Sequence, residues 1–148
     1  MNDLQKAIIC DLDGTLSFAN GRDWYNASTC DEDKLNHPVA EVVHWAYDNG
    51  YAIIFLSGRE AKYSEPTIKF LEKHGFYAKD GKVLPRYFLH MRHTDDFRKD
   101  SIVKRELYED FVKDKYNVSF LLDDRQQVVD MWRLAFGLTV FQVAEGNF

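Results

Sequence analysis

The sequence of 148 residues predicts an α/β fold built on a parallel β-sheet with helices on both faces. Three observations carry that prediction. Segments of strand and helix character alternate along nearly the whole chain. Strand-like runs such as Tyr51 to Leu56 are apolar throughout, as expected for strands covered on both faces. Polar clusters, Asp11-Leu12-Asp13-Gly14, Ser57-Gly58-Arg59 and Asp123-Asp124, fall where such runs stop.

Taken in order, Lys6 to Leu12 is an apolar strand ended by the turn that Gly14 allows. Residues 14 to 36 form a polar flap. Asn36-His37-Pro38 opens a helix with Pro in its first turn, Val39, Val42, Val43 and Ala46 mark its apolar side, and Gly50 closes it. Tyr51 to Leu56 is the second strand, Pro66 to His74 a helix stopped by Gly75, and Lys79 to Lys82 a turn joining two short extended pieces. Asp95 or Asp96 caps a helix reaching about Lys115, with Val103, Leu107 and Phe111 inward. Val118 to Leu122 is a strand, Gln126 to Phe136 a helix ended by Gly137, and Leu138 to Val143 the last strand.

The length, with 45% hydrophobic and 29% charged residues, fits one compact domain over residues 1 to 148. No apolar run is long enough to span a membrane, and the amino-terminal residues lack a secretory pattern. A cytoplasmic protein is expected, in the host cytoplasm if phage-encoded. Cys10 and Cys30 are too few for a disulfide framework, and Cys10 is expected to be buried. The net charge of −5 argues against a sequence-independent nucleic-acid coat protein, so contacts to phosphates must be local.

Asp11-Leu12-Asp13-Gly14-Thr15 combines a nucleophile and an acid at a strand end. A four-residue match at fixed positions should arise by chance in about one chain per thousand. Asp11 is ionised at neutral pH and can attack phosphorus to give an aspartyl-phosphate. Asp13, beside another negative charge, is expected to carry a raised pKa, protonate the leaving alkoxide and then deprotonate water. The alternative is a pair of acids binding a structural cation. Repulsion between Asp11 and a phosphate calls for positive charge. Asp123 and Asp124 offer hard oxygen ligands for Mg²⁺, with Asp123 favoured and Asp124 also suited to cap the following helix. Ser57 and Gly58 can grip phosphate oxygens. Lys104 can neutralise the transferred phosphate, oriented by Asp100 four residues earlier, although such a pair is also common as a solvated salt bridge.

Asp11-Leu12-Asp13-Gly14-Thr15, Ser57, Lys104 and Asp123-Asp124, in this order, resemble the haloacid dehalogenase superfamily. That resemblance implies a Rossmann-like sheet with the site at its carboxyl ends, and Mg²⁺ held by Asp11, the Asp13 carbonyl and an aspartate of the Asp123-Asp124 pair. A closer resemblance, covering nearly the whole chain, is to the 3′-phosphatase domains of T-even phage polynucleotide kinase-phosphatases. It runs through Asn20-Gly21-Arg22, Ser57-Gly58-Arg59-Glu60, Arg98-Lys99-Asp100, Asp123-Asp124-Arg125, Met131-Trp132-Arg133 and Gln142-Val143-Ala144. It implies that Arg22, Arg59 and Asp100 join Asp11, Asp13, Lys104 and the Asp123-Asp124 pair in the site. With Thr15, Ser57 and Gly58, the expected phosphate-binding or substrate residues are Thr15, Arg22, Ser57, Gly58, Arg59 and Asp100, and Asp11, Asp13, Asp123 and Asp124 are expected around the metal. Likeness is low over residues 28–36 and 77–91. No Gly-x-x-x-x-Gly-Lys-Ser/Thr loop occurs, so kinase activity is not implied and a separate kinase and ligase are the expected partners.

Between Asp11, Ser57 and Lys104 there is little room for a large cap domain, which suits a site open to a strand end. From Arg86 to Arg105 basic residues outnumber acids, a candidate track for a nucleic-acid backbone or an ordinary charged helix face. Phe18, Trp24 and Tyr25 in the flap are expected mostly to close a small core. The expected substrate is a 3′-phosphorylated DNA or RNA end. Small phosphoesters such as nucleotides are the alternative, and a non-catalytic scaffold is a third reading.

Overall fold

The computed structural model describes residues 3–148. Its element order is β1 (Gln5–Cys10), β2 (Ser17–Phe18), β3 (Lys34–Leu35), α1 (His37–Asp48), β4 (Ala52–Glu60), α2 (Ser64–Lys73), β5 (Ala78–Lys79) and β6 (Lys82–Val83). There follow β7 (Tyr87–Arg92), α3 (Asp100–Phe111), β8 (Tyr116–Asp123), α4 (Gln126–Phe136) and β9 (Val140–Gln142). Five strands form one sheet in the order β7-β4-β1-β8-β9, and every pairing in it is parallel.

Side chains alternate across β1, and the two faces build two cores. Ile8 and Cys10, with Ile53 and Phe55 of β4, pack under Val39 and Val43 of α1 and Phe70 and Leu71 of α2. Ala7 and Ile9, with Ile54 and Leu56, pack under Val103 and Leu107 of α3 and Val128 and Trp132 of α4. Helices on both faces explain why β4 reads as an unbroken apolar run. Cys10 and Cys30 are both buried free thiols. No described helix is long and apolar enough to cross a membrane.

Three expectations are corrected. The half-buried edge strand β7 is unpredicted, because Tyr-Phe-Leu-His-Met-Arg shows neither an unbroken apolar run nor a clean alternation of apolar and polar residues. α3 begins at Asp100 and is not capped from Asp95 or Asp96; Asp95 has φ +66°, a left-handed conformation outside any helix. β4 continues through Ser57 to Glu60, with a register shift against β7 there. The turn at residues 79–82 joins β5 and β6 as an antiparallel hairpin, as expected. Both connections between motif strands are short of a cap domain: β2, β3 and α1 fill the first, α2 and the β5–β6 hairpin most of the second.

Candidate active site

The site follows from register. Cys10 pairs with Phe55 on one side and Leu122 on the other, so Asp11 emerges at the carboxyl end of the central strand beside Asp123. The Asp11 N–H still donates to Leu122 O at 3.0 Å. The chain then turns sharply, and the N–H groups of Thr15, Leu16 and Ser17 all return to Leu12 O. Gly14 at the crest has φ +80°, and a Cβ there would overlap the Asp124 carboxylate. Only glycine permits both the turn and the approach of Asp124.

Asp11, Asp123 and Asp124 offer carboxylate oxygens that all lie within 4.8 Å of one another. The buried Lys104 Nζ reaches Asp11 Oδ1 at 2.7 Å and Asp123 Oδ2 at 3.0 Å. Its distance to Asp100 Oδ2 is 3.8 Å, so Asp100 is the outermost of its three anions. Burial, then Asp123, push the Asp11 carboxyl well above its ordinary range, with Lys104 opposing. Burial alone depresses the Lys104 ammonium, but Asp11 and Asp123 outweigh it and hold it charged. Three buried carboxylates against one ammonium leave negative charge uncompensated, and the all-oxygen donor set fits a hard divalent cation. Asp123 and Asp124 therefore both belong to the cluster. α4 has Arg125 as its N-cap residue and no side-chain cap, so Asp124 does not cap it.

Asp13 differs from the sequence expectation. Arg59 donates to it from Nε and Nη2, both at 2.9 Å, and Arg22 Nη2 donates at 2.8 Å. Burial raises the Asp13 carboxyl, but Arg59 and then Arg22 outweigh burial and bring it below its ordinary value. Asp13 is thus ionised, not proton-loaded, in this arrangement. Its side chain stands outside the converging carboxylates of the cation cluster.

Behind both arginines lies Asp33, which sequence reasoning missed. Arg22 binds it through Nε at 2.8 Å and Nη2 at 2.7 Å, and Arg59 Nη2 approaches at 3.2 Å. Asp33 is buried, whereas Asp31 and Glu32 beside it are not, and nothing in that acidic run distinguishes them by sequence. Arg92 was also missed as a strut. Its guanidinium binds the carbonyls of Gly58, Asp96 and Arg98, and Asp100 at 3.2 Å.

Thr15 and Ser57, both expected to contact phosphate, are fully buried beside the carboxylates and Arg59. The Thr15 hydroxyl serves the carboxylates, reaching Asp11 Oδ2 at 3.0 Å and Asp124 Oδ1 at 3.2 Å. Ser57 Oγ accepts the Arg59 N–H at 3.1 Å and so fixes the backbone that carries Arg59. Gly58 lets Asp100 approach, since a Cβ there would overlap the Asp100 carboxylate. The basic stretch does not form one surface track. Arg86 is tied to the Tyr47 and Tyr51 carbonyls, Arg98 pairs with Asp96 and Glu106, and Lys104 is internal.

Asp11, Asp13, Arg59, Asp100 and Asp124 line one cleft of about 890 Å³. Trp24, Tyr25, Phe97 and Phe148 line it too. Trp24 and Tyr25 are 52% and 87% exposed, and Phe18 is 41% exposed, so the flap aromatics do not close a core as expected.

An Asp-x-Asp turn after the central strand of a parallel sheet, facing a buried lysine and a second aspartate pair, defines a phosphatase of the haloacid dehalogenase class. Within that class the chain belongs to the family described as polynucleotide kinase PNKP phosphatase domain, whose model matches residues 5–148. It is 36% identical, over 93% of its length, to a protein of Autographa californica nuclear polyhedrosis virus named as a bifunctional polynucleotide kinase/RNA ligase, and covers 19% of that protein. It is 53% identical to a chain in a solved Pnkp1/Rnl/Hen1 complex, with a TM-score of 0.91 over 100% of this chain and 49% of that one. The class C acid phosphatase from Bacillus anthracis, solved with tungstate, shares the fold at 17% identity and a TM-score of 0.62, over 99% of this chain and 68% of that one. The chain thus spans under half the length of the first two relatives.

Proposed function

We propose that this chain is a single-domain Mg²⁺-dependent polynucleotide 3′-phosphatase acting in nucleic-acid end repair. One observation carries the reading: Asp11, Asp13, Arg59 and Asp124 line a single open cleft, with Arg22 bound to Asp13 and Asp123 clustered with Asp11 and Asp124. Asp11, Asp123 and Asp124 would hold Mg²⁺, whose charge keeps Asp11 ionised and screens it from the phosphate. An Asp11 oxygen attacks phosphorus, and the phosphorus–oxygen bond to the sugar breaks. The departing 3′-oxygen takes a proton from Asp13, leaving an aspartyl-phosphate on Asp11. Asp13 then removes a proton from water as the water oxygen attacks phosphorus, releasing phosphate and restoring Asp11.

Asp13 is held ionised by its two arginines, so it is poised for the second step. For the first step it must be proton-loaded. Transfer of Arg22 and Arg59 to the incoming phosphate oxygens, which a guanidinium binds bidentately, removes the contacts that keep its pKa low. Lys104 neutralises charge from the far side of Asp11 and, being buried, loses little to solvent screening.

The solved relatives belong to an assembly described as an RNA repair complex, and the viral relative is named for kinase and ligase activities. Both support an RNA 3′ end as substrate, with a kinase and a ligase as partners, and a cytoplasmic location suits the reduced thiols. The test compares phosphate release, with and without Mg²⁺, from a 3′-phosphorylated oligonucleotide, a 5′-phosphorylated one and mononucleotides. Preference for the 3′ end, lost in Asp11→Asn, is expected; equal or better turnover of 5′ ends or mononucleotides refutes the reading.

A further inference from the structure

Four aromatic rings stand in solvent around the cleft although each sits on a chain segment anchored by hydrogen bonds. Phe97 is 80% exposed, yet the Arg92 guanidinium binds the carbonyls of Asp96 and Arg98 on either side of it. The same loop is tied down where Lys62 N–H donates to Thr94 Oγ1 and Asp95 N–H donates to Glu60 Oε2. Across the site, Arg22 Nη1 holds the carbonyls of Asp23 and Trp24, and the Tyr25 N–H donates to Asp23 Oδ1. Phe148 has its carbonyl bound by Arg125 and Gln127. Burial normally draws large rings inward, so ordered loops that hold them outward need another explanation than folding.

The cleft is also too large for a phosphate alone. Its volume of about 890 Å³ lies near the top of the range of roughly 300–1,000 Å³ that encloses whole small-molecule ligands. Its lining adds Lys62, Lys99 and Arg125 to the rings, and Lys99 makes no ion pair among the described residues. Exposed rings and cations lining the same cleft as Asp11 match the kind of surface that binds an unpaired nucleic-acid strand, where bases stack on rings and the backbone follows positive charge.

We infer that Trp24 and Phe97, on the loops that follow β2 and β7, form a base-stacking rim that seats the unpaired terminal nucleotides of the substrate strand while its 3′-phosphate reaches Asp11. This rests on the polynucleotide reading above and adds where the bases go. Stacking accepts any base, so the rim selects a polymer end over a lone phosphoester without selecting sequence. The backbone that carries the two rings is held by Arg22 and Arg92, side chains that also bind Asp13 and Asp100, which ties the rim to the reacting groups.

The experiment measures KM for a single-stranded 3′-phosphorylated oligonucleotide and for the same strand with its last two bases removed but its sugars and phosphates kept. In the unaltered protein, loss of the bases should raise KM roughly fivefold or more. In Trp24→Ala with Phe97→Ala that ratio should fall to about one, because the bases no longer find rings, whereas Trp24→Phe with native Phe97 should keep it. Trp45→Ala is the control: that ring is equally exposed but lies on α1, away from the cleft, and its removal should leave the ratio intact. The inference is overturned if the base-free strand binds the unaltered protein as well as the parent does, or if the ratio survives loss of both rings. A separate outcome, hydrolysis of an aryl phosphate without hydrolysis of either oligonucleotide by the unaltered protein, refutes the polynucleotide reading itself and the rim with it.

Discussion

Arg59 grips Asp13 with a two-point fork, Nε to Oδ2 and Nη2 to Oδ1, each at 2.9 Å. The fork does more than orient a carboxylate. Because the same guanidinium also reaches Ser17 Oγ, Thr67 Oγ1 and Asp33, it ties the β1 turn, the flap and α2 to the end of β4. A lysine carries the charge but not this planar set of donors. Arg59→Lys should therefore lower kcat with a 3′-phosphorylated oligonucleotide by about 10²-fold or more, the scale seen when one preorganised electrostatic donor is removed. Retention of near-native kcat in this variant contradicts the assigned role.

Asp33 touches neither the cation cluster nor the open cleft, yet it carries the charge opposite both arginines. Removing it as Asp33→Ala leaves two buried guanidiniums short of an anion. Breaking a buried pair by deleting one partner costs about 3–5 kcal/mol, and urea unfolding should show a loss of that order. A midpoint shifted by only a small fraction of that would mean water replaces the carboxylate.

The sequence makes much of this architecture legible, for identifiable physical reasons. Apolar runs mark β1, β4 and the buried end of β8 because helices cover both faces of the sheet, and the Asp-x-Asp turn falls where the first of them stops. What it conceals are relationships set by distant pairing. Asp13 reads as an acid beside another acid, but Arg22 and Arg59 reach it only once the flap folds over β4, and they reverse the sign of its pKa shift. β7 is hidden because Tyr-Phe-Leu-His-Met-Arg, half-buried at the sheet edge, has neither an unbroken apolar run nor strict alternation. Trp24 and Tyr25 look like core residues by composition, and only the anchored flap turns them outward.

The uncompensated charge of Asp11, Asp123 and Asp124 makes a thermal prediction. A cation that binds only the folded chain adds about 2.7 kcal/mol at a concentration 100 times its dissociation constant, or about 5–10 °C in Tm at this size. Melting in Mg²⁺ against melting in chelator should show a rise of that order, and Asp124→Asn should lose most of it. An equal rise in Asp124→Asn removes that residue from the cation site.

His90 on β7 stacks on Phe111 with ring centroids 4.2 Å apart. Burial, then Lys115, lower its pKa below the ordinary imidazole value. The unfolded chain therefore binds this proton more readily than the folded one. The stabilising contribution is complete above the unfolded pKa and is lost as pH falls through it toward the folded value. His74 is lowered in the same direction, by burial, Lys73 and His37. Urea midpoints should fall on acidification from neutral pH, and His90→Phe, which keeps the stacked ring, should flatten part of that slope. An unchanged slope would assign the effect to His74 alone.

Trp132 joins the helix that carries Lys104 to the one that follows Asp123-Asp124. Its ring, 1% exposed, meets Tyr108 of α3 at 5.4 Å in an edge-on contact and Phe136 of its own helix at 6.2 Å. Trp132→Ala empties that junction and should cost about 3–5 kcal/mol in urea unfolding. Trp132→Phe separates volume from polarity. The indole N–H is buried and finds no hydrogen-bond partner among the described residues, so native burial already carries the desolvation cost of one donor. Phenylalanine keeps a ring against Tyr108 and removes that donor, so its loss should be well under half that of alanine. If the two variants lose equally, the indole N–H has found a partner such as water, and the ring's volume alone does not explain why tryptophan occupies the junction.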